Sequence, residues 1–164
     1  MIFGAVGASI HLNDGFYSRY NSDQLKLLNF HKYDQRDELY RNRVCFLRGD
    51  QDEGSFADIC KSGPILIWGD SHAASLSYGM SSFKKISQFT SSGCPPMLNS
   101  EILTRPHCQS INQYVFKYIN EYKPKAVFLN ANWLKYKFTQ PLTHTLDALS
   151  TVSYTHLRAH ETEA

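Results

Sequence analysis

Several hallmarks of common functional classes are missing from this chain of 164 residues. It has 17 Lys and Arg against 15 Asp and Glu, a net charge of +2, and the basic residues are scattered, so nucleic acid is not indicated as a partner. It has no Cys-x-x-Cys pair and no His and carboxylate cluster with ligand spacing, which argues against metal catalysis. No internal repeat or low-complexity tract is visible. With 42% hydrophobic residues, the composition is that of one globular domain with a core.

The four cysteines fall into two pairs with similar short spacing, Cys45 with Cys60 and Cys94 with Cys108. An even count in loop-like sequence predicts two local disulfides. It also predicts an oxidising compartment, such as the periplasm or the cell exterior. The alternative is four unrelated buried thiols.

The two ends of the chain are set apart from the rest. Residues 1–12 form an apolar, small-residue stub that is too short to span a bilayer, and we interpret it as the end of a transmembrane helix; a short buried strand is the alternative. Residues 152–164 lack apolar periodicity, and Val152 to Thr162 match the in-frame translation of a transposon-end sequencing adapter. We therefore expect this tail to be non-native and exclude His156 and His160 from fold reasoning.

The chain between these ends changes character at Gly63-Pro64. Residues 13–63 read as an irregular lead-in that contains Cys45 and Cys60 and short helices near Ser22–Phe30 and Gln35–Arg43. Residues 64–151 alternate between strands and helices, which favours a parallel sheet with helices on both faces and a site at the carboxyl ends of its strands. The predicted strands are Ile65–Trp68, Ile86–Thr90 and Ala126–Leu129, and the predicted helices are Ala73–Lys85, Ser110–Tyr122 and Leu142–Leu149.

Two of these helices carry apolar stripes that predict their buried faces. The residues of the first stripe are Leu76, Met80 and Phe83, and those of the second are Ile111, Tyr114, Val115, Tyr118 and Ile119.

Ser71 is the candidate nucleophile. It follows a buried strand and begins a helix, where unpaired backbone N–H groups and the helix dipole favour developing negative charge. A hydroxyl there can attack a carbonyl while the same turn stabilises the oxyanion. Gly69 would allow the backbone to bend between the strand and the helix. Simple N-capping of the helix is the competing explanation for Gly69-Asp70-Ser71.

Several segments, in order, resemble one known family. The string Ile-Leu-Ile-Trp-Gly-Asp-Ser-His-Ala-Ala-Ser-Leu at 65–76 resembles the first block of the SGNH hydrolases, in the version fused to the C-terminus of bacterial membrane acyltransferases of the acyltransferase-3 family. The other segments are Cys-Phe-Leu at Cys45, Ser-Gly-Cys-Pro-Pro at 92–96, Arg105-Pro-x-Cys108 and Lys-Pro-x-x-Val-x-Leu-x-x-Asn-Trp ending at Trp133.

The resemblance implies a three-layer, flavodoxin-like α/β fold, incomplete at its C-terminus, and a set of site residues. Ser71 matches the nucleophile, and its own N–H would join Gly93 and the amide of Asn132 in the oxyanion hole. A turn-making role for the glycine and a loop-closing role for the asparagine are the alternatives, and Asn130 is a rival for the latter position.

The family's final block, an Asp and a His that activate the serine, has no match in this sequence. His72 diverges in direction from the nucleophile at a helix start, and we expect a structural or substrate-side role for it. His144 and Asp147 show the Asp-x-x-His spacing in reverse order and are predicted to be surface residues of a helix.

The resemblance implies that the intact parent moves an acyl group, acetyl by expectation, onto a cell-envelope glycan. The donor would be a membrane-embedded acyltransferase domain upstream, which would anchor the parent to the inner membrane, and no cofactor is expected. A carbohydrate O-acetyl esterase is one alternative. A non-catalytic glycan-binding module that uses Trp133 and Tyr136 is another. Without the Asp and His, this chain is expected to be nearly inactive.

Overall fold

The computed structural model describes residues 2–13, 15–29, 35–136 and 140–151. The chain divides into two compact units, residues 1–35 and residues 36–164. In the first unit, helix α1 spans Ile2–Leu12 and helix α2 spans Ser22–Asn29, which confirms the helix predicted near Ser22–Phe30. Within the described residues, no helix has the length and apolar character needed to cross a membrane. The membrane origin of residues 1–12 stays a prediction.

Helix α2 begins with a reciprocal cap. The side chain of Asn21 accepts hydrogen bonds from the backbone N–H groups of Asp23 and Gln24, at 3.1 and 2.9 Å. Gln24 Oε1 in turn accepts from the backbone N–H of Asn21 at 3.0 Å. This capping box satisfies N–H groups that a helix start otherwise leaves unpaired.

The second unit contains the alternating strands and helices that the sequence predicts. In chain order its elements are α3 (Arg36–Tyr40), β1 (Phe46–Leu47), β2 (Ile65–Gly69), α4 (Ser71–Ser81), β3 (Ile86–Ser91), α5 (Cys108–Tyr122), β4 (Ala126–Asn130) and α6 (Gln140–Ser150). Short 3-10 turns cover Glu53–Ser55, Asp58–Lys61 and Trp133–Lys135.

The strands of the described residues form one parallel sheet in the order β1-β3-β2-β4. Its three longer strands, β3, β2 and β4, have the 2-1-3 order of a flavodoxin-like sheet, which confirms the predicted fold class. The lead-in segment supplies the fourth strand, β1, which the sequence analysis did not predict because two residues carry no periodicity. Thr90 holds this strand through its N–H and its hydroxyl, both of which donate to Cys45 O, at 3.1 and 2.8 Å.

Helices cover both faces of the sheet. Leu66 and Trp68 of β2 belong to the main core cluster, together with Val115 and Ile119 of α5 and Leu149 of α6. The alternate residue Ile67 belongs instead to a smaller cluster with Ala73 of α4 and Ile86. Because successive side chains of a strand point to opposite faces, α4 lies on one face and α5 and α6 on the other. The stripe predicted for α5 is confirmed as a core-facing surface.

The stripe predicted for α4 is wrong at two of its three residues, since only Met80 packs against the smaller core cluster. Leu76 is 43% exposed, and Phe83 is 87% exposed and lies beyond the end of the helix. The buried residues of α4 are the small Ala73, Ala74 and Ser77. Small side chains allow the helix backbone to approach the sheet closely, and this requirement outweighs hydrophobicity at these positions.

Both predicted disulfides are present, so the alternative of four buried thiols is wrong. Cys45–Cys60 joins the start of β1 to the turn before β2, and Cys94–Cys108 joins the loop after β3 to the first residue of α5. The Cα atoms are 5.4 Å apart in each pair.

Candidate active site at the carboxyl edge of the sheet

The residues predicted to carry chemistry leave the sheet from a single row of its register. Gly69 at the end of β2 pairs with Thr90 of β3 on one side and with Asn130 of β4 on the other. Ser71 and Asn132 lie two residues beyond this row, and Gly93 lies three residues beyond it. The three candidates therefore emerge from adjacent strands at the carboxyl edge, where open parallel sheets build their sites.

Gly69 is required by the close approach of β4. A Cβ atom at this position would lie 1.7 Å from the carbonyl oxygen of Asn130 and 2.9 Å from the Cβ of Ala73. The first contact is with backbone and cannot be relieved by a rotamer change. Any larger residue would push β2 away from β4 and from α4.

Asp70 connects several elements at this edge of the sheet through hydrogen bonds. It is almost completely buried, and Oδ1 caps α4 by accepting a hydrogen bond from the N–H of His72 at 2.8 Å. Its other oxygen, Oδ2, accepts from the backbone N–H of Asn132 at 2.9 Å and from the hydroxyl of Tyr136 at 3.1 Å. One carboxylate thus fixes the start of α4 relative to the loop after β4.

Ser71 is the first residue of α4 and is half-buried. Among the described residues its hydroxyl makes no hydrogen bond, and its N–H belongs to the first turn, where helices leave such groups without an intrahelical partner. Asp70 is the N-cap of this helix, so N-capping explains the Asp of Gly69-Asp70-Ser71 and does not explain Ser71.

Gly93 lies in a loop that is held from several directions. Its φ of +65° is in the left-handed region that favours glycine, and its neighbour Cys94 is bonded to Cys108. The guanidinium of Arg105 lies against it: Nε donates to Ser92 O at 2.5 Å and would be 3.0 Å from a Cβ at position 93. The glycine therefore serves the turn and the packing of Arg105, and both roles keep its backbone at the edge of the site.

The sequence offers two asparagines for the predicted third oxyanion position, and the structure shows that their side chains make different hydrogen bonds. Asn130 Nδ2 donates to the carbonyl of His72 at 3.4 Å. The side-chain amide of Asn132 makes no hydrogen bond within the described residues, and its backbone is anchored to Asp70. This difference favours Asn132 as a donor to a substrate and gives Asn130 a structural bond.

Two comparisons with known proteins bear on this geometry. A family model for the SGNH domain that is fused to AT3 domains matches residues 32–161. The chain belongs to this SGNH family. The matched range runs into the tail after Thr151, which lies outside the described residues, so the predicted adapter origin of the tail stays a prediction.

A solved structure shares the fold of this SGNH domain. The periplasmic domain of a lipopolysaccharide acetyltransferase from Salmonella ser. Paratyphi A is similar with a TM-score of 0.58 and 22% sequence identity. The match covers 76% of this chain and 53% of that chain, so the SGNH domain described here spans about half of that structure. A search of curated proteins found no significant match.

Within the described residues, no hydrogen bond joins a histidine side chain to Ser71 or to an acidic side chain. His72 is exposed on α4, and His144 and Asp147 are exposed on α6, in the surface positions predicted for them. His156 and His160 lie outside the described residues. Within the described residues, no three His, Cys, Asp or Glu side chains are grouped in a way that could hold a metal ion.

Trp133 and Tyr136 are poor candidates for an open sugar platform. Trp133 packs against the main core cluster, and the hydroxyl of Tyr136 is committed to Asp70. Burial is the main reason that the pKa of Tyr136 is raised well above its usual value, and the negative charge of Asp70 adds to it. The charge of Arg105 acts in the opposite direction. This phenol stays a neutral hydrogen-bond donor at neutral pH.

Sequence reasoning missed Asp70, Tyr136 and Arg105 as organisers of the site. N-capping at Gly69-Asp70-Ser71 was one of the explanations that the sequence offered, but the bonds of Asp70 across the sheet edge carry no sequence signal. Arg105 appeared only as part of a motif. Its contacts with Ser92 and Gly49 depend on the folded path of the loop.

Proposed function

We propose that this SGNH domain carries an acyl group on Ser71 during transfer of acetyl to a cell-envelope glycan. The observation that carries the proposal is the common register row from which Ser71, Gly93 and Asn132 emerge, with Asp70 tying the first to the last. The SGNH family and the fold shared with a lipopolysaccharide acetyltransferase domain support acyl transfer as the reaction class.

The proposed reaction has two balanced steps. In the first, Ser71 Oγ bonds to the acyl carbonyl carbon, the bond from that carbon to the donor's leaving group breaks, and a general base passes the serine proton to the leaving group. In the second, a glycan hydroxyl bonds to the carbonyl carbon of the acyl-serine, the same base passes the glycan proton to Ser71 Oγ, and the bond from that oxygen to the acyl carbon breaks to restore the serine. The N–H groups of Ser71 and Gly93 and the amide of Asn132 stabilise the oxyanion in each step.

The proposal also covers location and partners. Two disulfides are typical of a protein in an oxidising compartment, which supports a periplasmic or extracytoplasmic site of action. The AT3 domains to which the family's SGNH domains are fused support a membrane-embedded acyl donor that anchors the parent protein to the inner membrane. No cofactor is required by the two steps.

A test in the parent gene compares two serines on α4. Ser71→Ala should lower the acetyl content of the envelope glycan at least a hundredfold, because the acyl acceptor atom is lost. Ser75→Ala, which removes an exposed hydroxyl that donates to His72 O, should change it less than twofold. Acetylation that persists in Ser71→Ala would overturn the proposal. Release of free acetate with an unmodified glycan would indicate the esterase instead.

A second test concerns the chain alone. Residues 1–151 contain the proposed nucleophile and oxyanion donors but no Asp-x-x-His block, so the serine hydroxyl should stay protonated and inert. We expect p-nitrophenyl acetate to be hydrolysed at the same background rate by this chain and by its Ser71→Ala variant. A rate that Ser71→Ala abolishes would contradict this prediction and indicate a base among the residues present.

A further inference from the structure

A shallow groove lies along the last turns of α5, away from the candidate active site. It has a volume of about 150 Å³ and is lined by two lysines, three tyrosines and a glutamate: Lys61, Tyr114, Lys117, Tyr118, Glu121 and Tyr122. Helix α5 begins at Cys108, which is bonded to the loop after β3 at the carboxyl edge. At the helical rise of 1.5 Å per residue, Tyr122 lies about 20 Å along the helix from that edge.

The aromatic wall of the groove is held rigidly. The ring of Tyr118 is buried against Phe89, with centroids 4.7 Å apart, and its hydroxyl donates to Lys61 O at 3.1 Å. Tyr122 stacks on Tyr118 with centroids 4.3 Å apart and an interplanar angle of 19°. Tyr122 is nevertheless 66% exposed. The fixed ring of Tyr118 therefore supports the ring of Tyr122, which presents a flat aromatic surface to solvent.

Charged groups of both signs surround this surface. Lys117 Nζ and Glu121 Oε1 are 3.8 Å apart on the exposed side of α5. Lys61 Nζ lies 3.1 Å from Asp58 Oδ1, and this contact raises the pKa of Lys61 and keeps it cationic. Ammonium groups donate hydrogen bonds and the carboxylate accepts them. The rim of the groove can therefore form hydrogen bonds with a ligand that carries both donors and acceptors.

We propose that this groove binds one pyranose ring of a glycan, at a site separate from Ser71. A pyranose has an apolar C–H face, which fits the ring of Tyr122, and a rim of hydroxyls, which fits Lys117 and Glu121. A purely apolar ligand would displace water from these charged groups without replacing its hydrogen bonds, and a polyanion would meet the carboxylates of Glu121 and Asp58. The volume suits a single ring, since sites for drug-sized ligands are at least about twice as large.

The experiment is an NMR titration of the full ¹⁵N-labelled chain with methyl β-D-galactopyranoside. We expect saturable shifts at the backbone amides of residues 117–122 and at Lys61. Tyr122→Ala should weaken binding at least tenfold, and Glu121→Gln about threefold. Tyr78→Ala, which removes an exposed tyrosine from α4, is the matched control and should change binding less than twofold. Sorbitol has similar hydroxyls but no ring, and it should not produce the same shifts.

The outcomes separate this inference from the chemistry of Ser71. Ser71→Ala should leave the shifts on α5 unchanged, so a failure of the proposed acyl transfer would not affect the groove. Unsaturable shifts, equal shifts with sorbitol, or wild-type affinity in a folded Tyr122→Ala variant would overturn the groove as a sugar site. Shifts confined to the loops around Ser71 would overturn it as well and place sugar binding at the candidate active site.

Discussion

The turn between β2 and α4 and the loop between β3 and α5 reach the same edge of the sheet but are held by different means. The turn has one residue, Asp70, between strand and helix, and it is fixed by that carboxylate and by the close approach of β4 to Gly69. The loop spans residues 92–107 without a helix or strand. The positions of the flanking strand and helix fix the backbone of a short turn. A long loop has to be held in place by hydrogen bonds or disulfides of its own.

The cross-links of the loop come from elements far apart in the sequence. The side-chain amide of Asn112 on α5 donates to Pro95 O and Met97 O, at 2.9 Å each, while its oxygen accepts from the indole of Trp68 at 2.9 Å. The hydroxyl of Thr145 on α6 accepts from the N–H of Leu98 at 2.7 Å. A polar network buried in this way rigidifies the loop because each of these groups would be costly to leave unpaired.

The largest expected effect comes from Gly69 in the turn. Gly69→Ala places a methyl group against the backbone of Asn130, and we expect it to lower the free energy of unfolding by more than about 4 kcal/mol or to prevent folding. Gly79→Ala on α4 meets no atom within 4 Å and should instead stabilise by up to about 1 kcal/mol. Urea unfolding of both variants measures the contrast. A mild effect of Gly69→Ala would show that β2 and β4 can move apart.

The second-largest loss of stability should come from the disulfide of the loop between β3 and α5. Replacing Cys94 and Cys108 together by Ala opens a loop with a sequence separation of 14 and should cost about 3 kcal/mol. Removing Cys45 and Cys60, with a separation of 15, should cost about the same in global stability. Hydrogen exchange should distinguish the pairs, with residues 92–107 losing protection only in the first variant. Equal loss of protection at residues 92–107 in both variants would show that the Cys94–Cys108 disulfide does not specifically hold this loop.

Asp70 should have a smaller effect on stability than the disulfide. Asp70→Ala removes the cap of α4 and the acceptor for Asn132 and Tyr136, and we expect a loss of about 2 kcal/mol. Asp147→Ala, at an exposed position of α6, should change stability by less than about 0.5 kcal/mol. Thermal unfolding of the two variants tests this difference, and equal stability of both would show that Asp70 is not a structural hub.

Tyr136 should have the smallest effect, with a distinctive dependence on pH. Tyr136→Phe removes one hydrogen bond to Asp70 and should cost about 1 kcal/mol at pH 7. The pKa of Tyr136 is raised in the folded state, so its contribution is complete below the unfolded pKa of about 10 and is lost as pH rises above it. The stability difference between wild type and variant should therefore shrink above pH 10. Urea unfolding between pH 7 and 11 checks this, and a difference that is constant with pH would contradict it.

Patterns of local sequence were enough to predict the alternation of strands and helices and the pairing of the cysteines. The run Ile65–Trp68 is apolar throughout because both faces of β2 are covered, and the stripe of α5 repeats at the helical period because one face meets the core. The position of Ser71 between a buried strand and a helix was likewise visible in the residues themselves. The assignments of Ser71, Gly93 and Asn132 to catalysis remain predictions.

The features that local sequence patterns did not predict arise from contacts between segments that are far apart in the sequence. Leu76 and Phe83 are exposed because α4 approaches the sheet through Ala73 and Ala74, a fit that depends on Gly69 and on the path of β4. The bonds from Asp70 to Asn132 and Tyr136 join residues more than sixty positions apart, and the tyrosine stack of the α5 groove rests on Phe89 of the sheet. Short-range periodicity predicts which face of a helix or strand is apolar. Which residues that face contacts depends on how the helices and strands pack together.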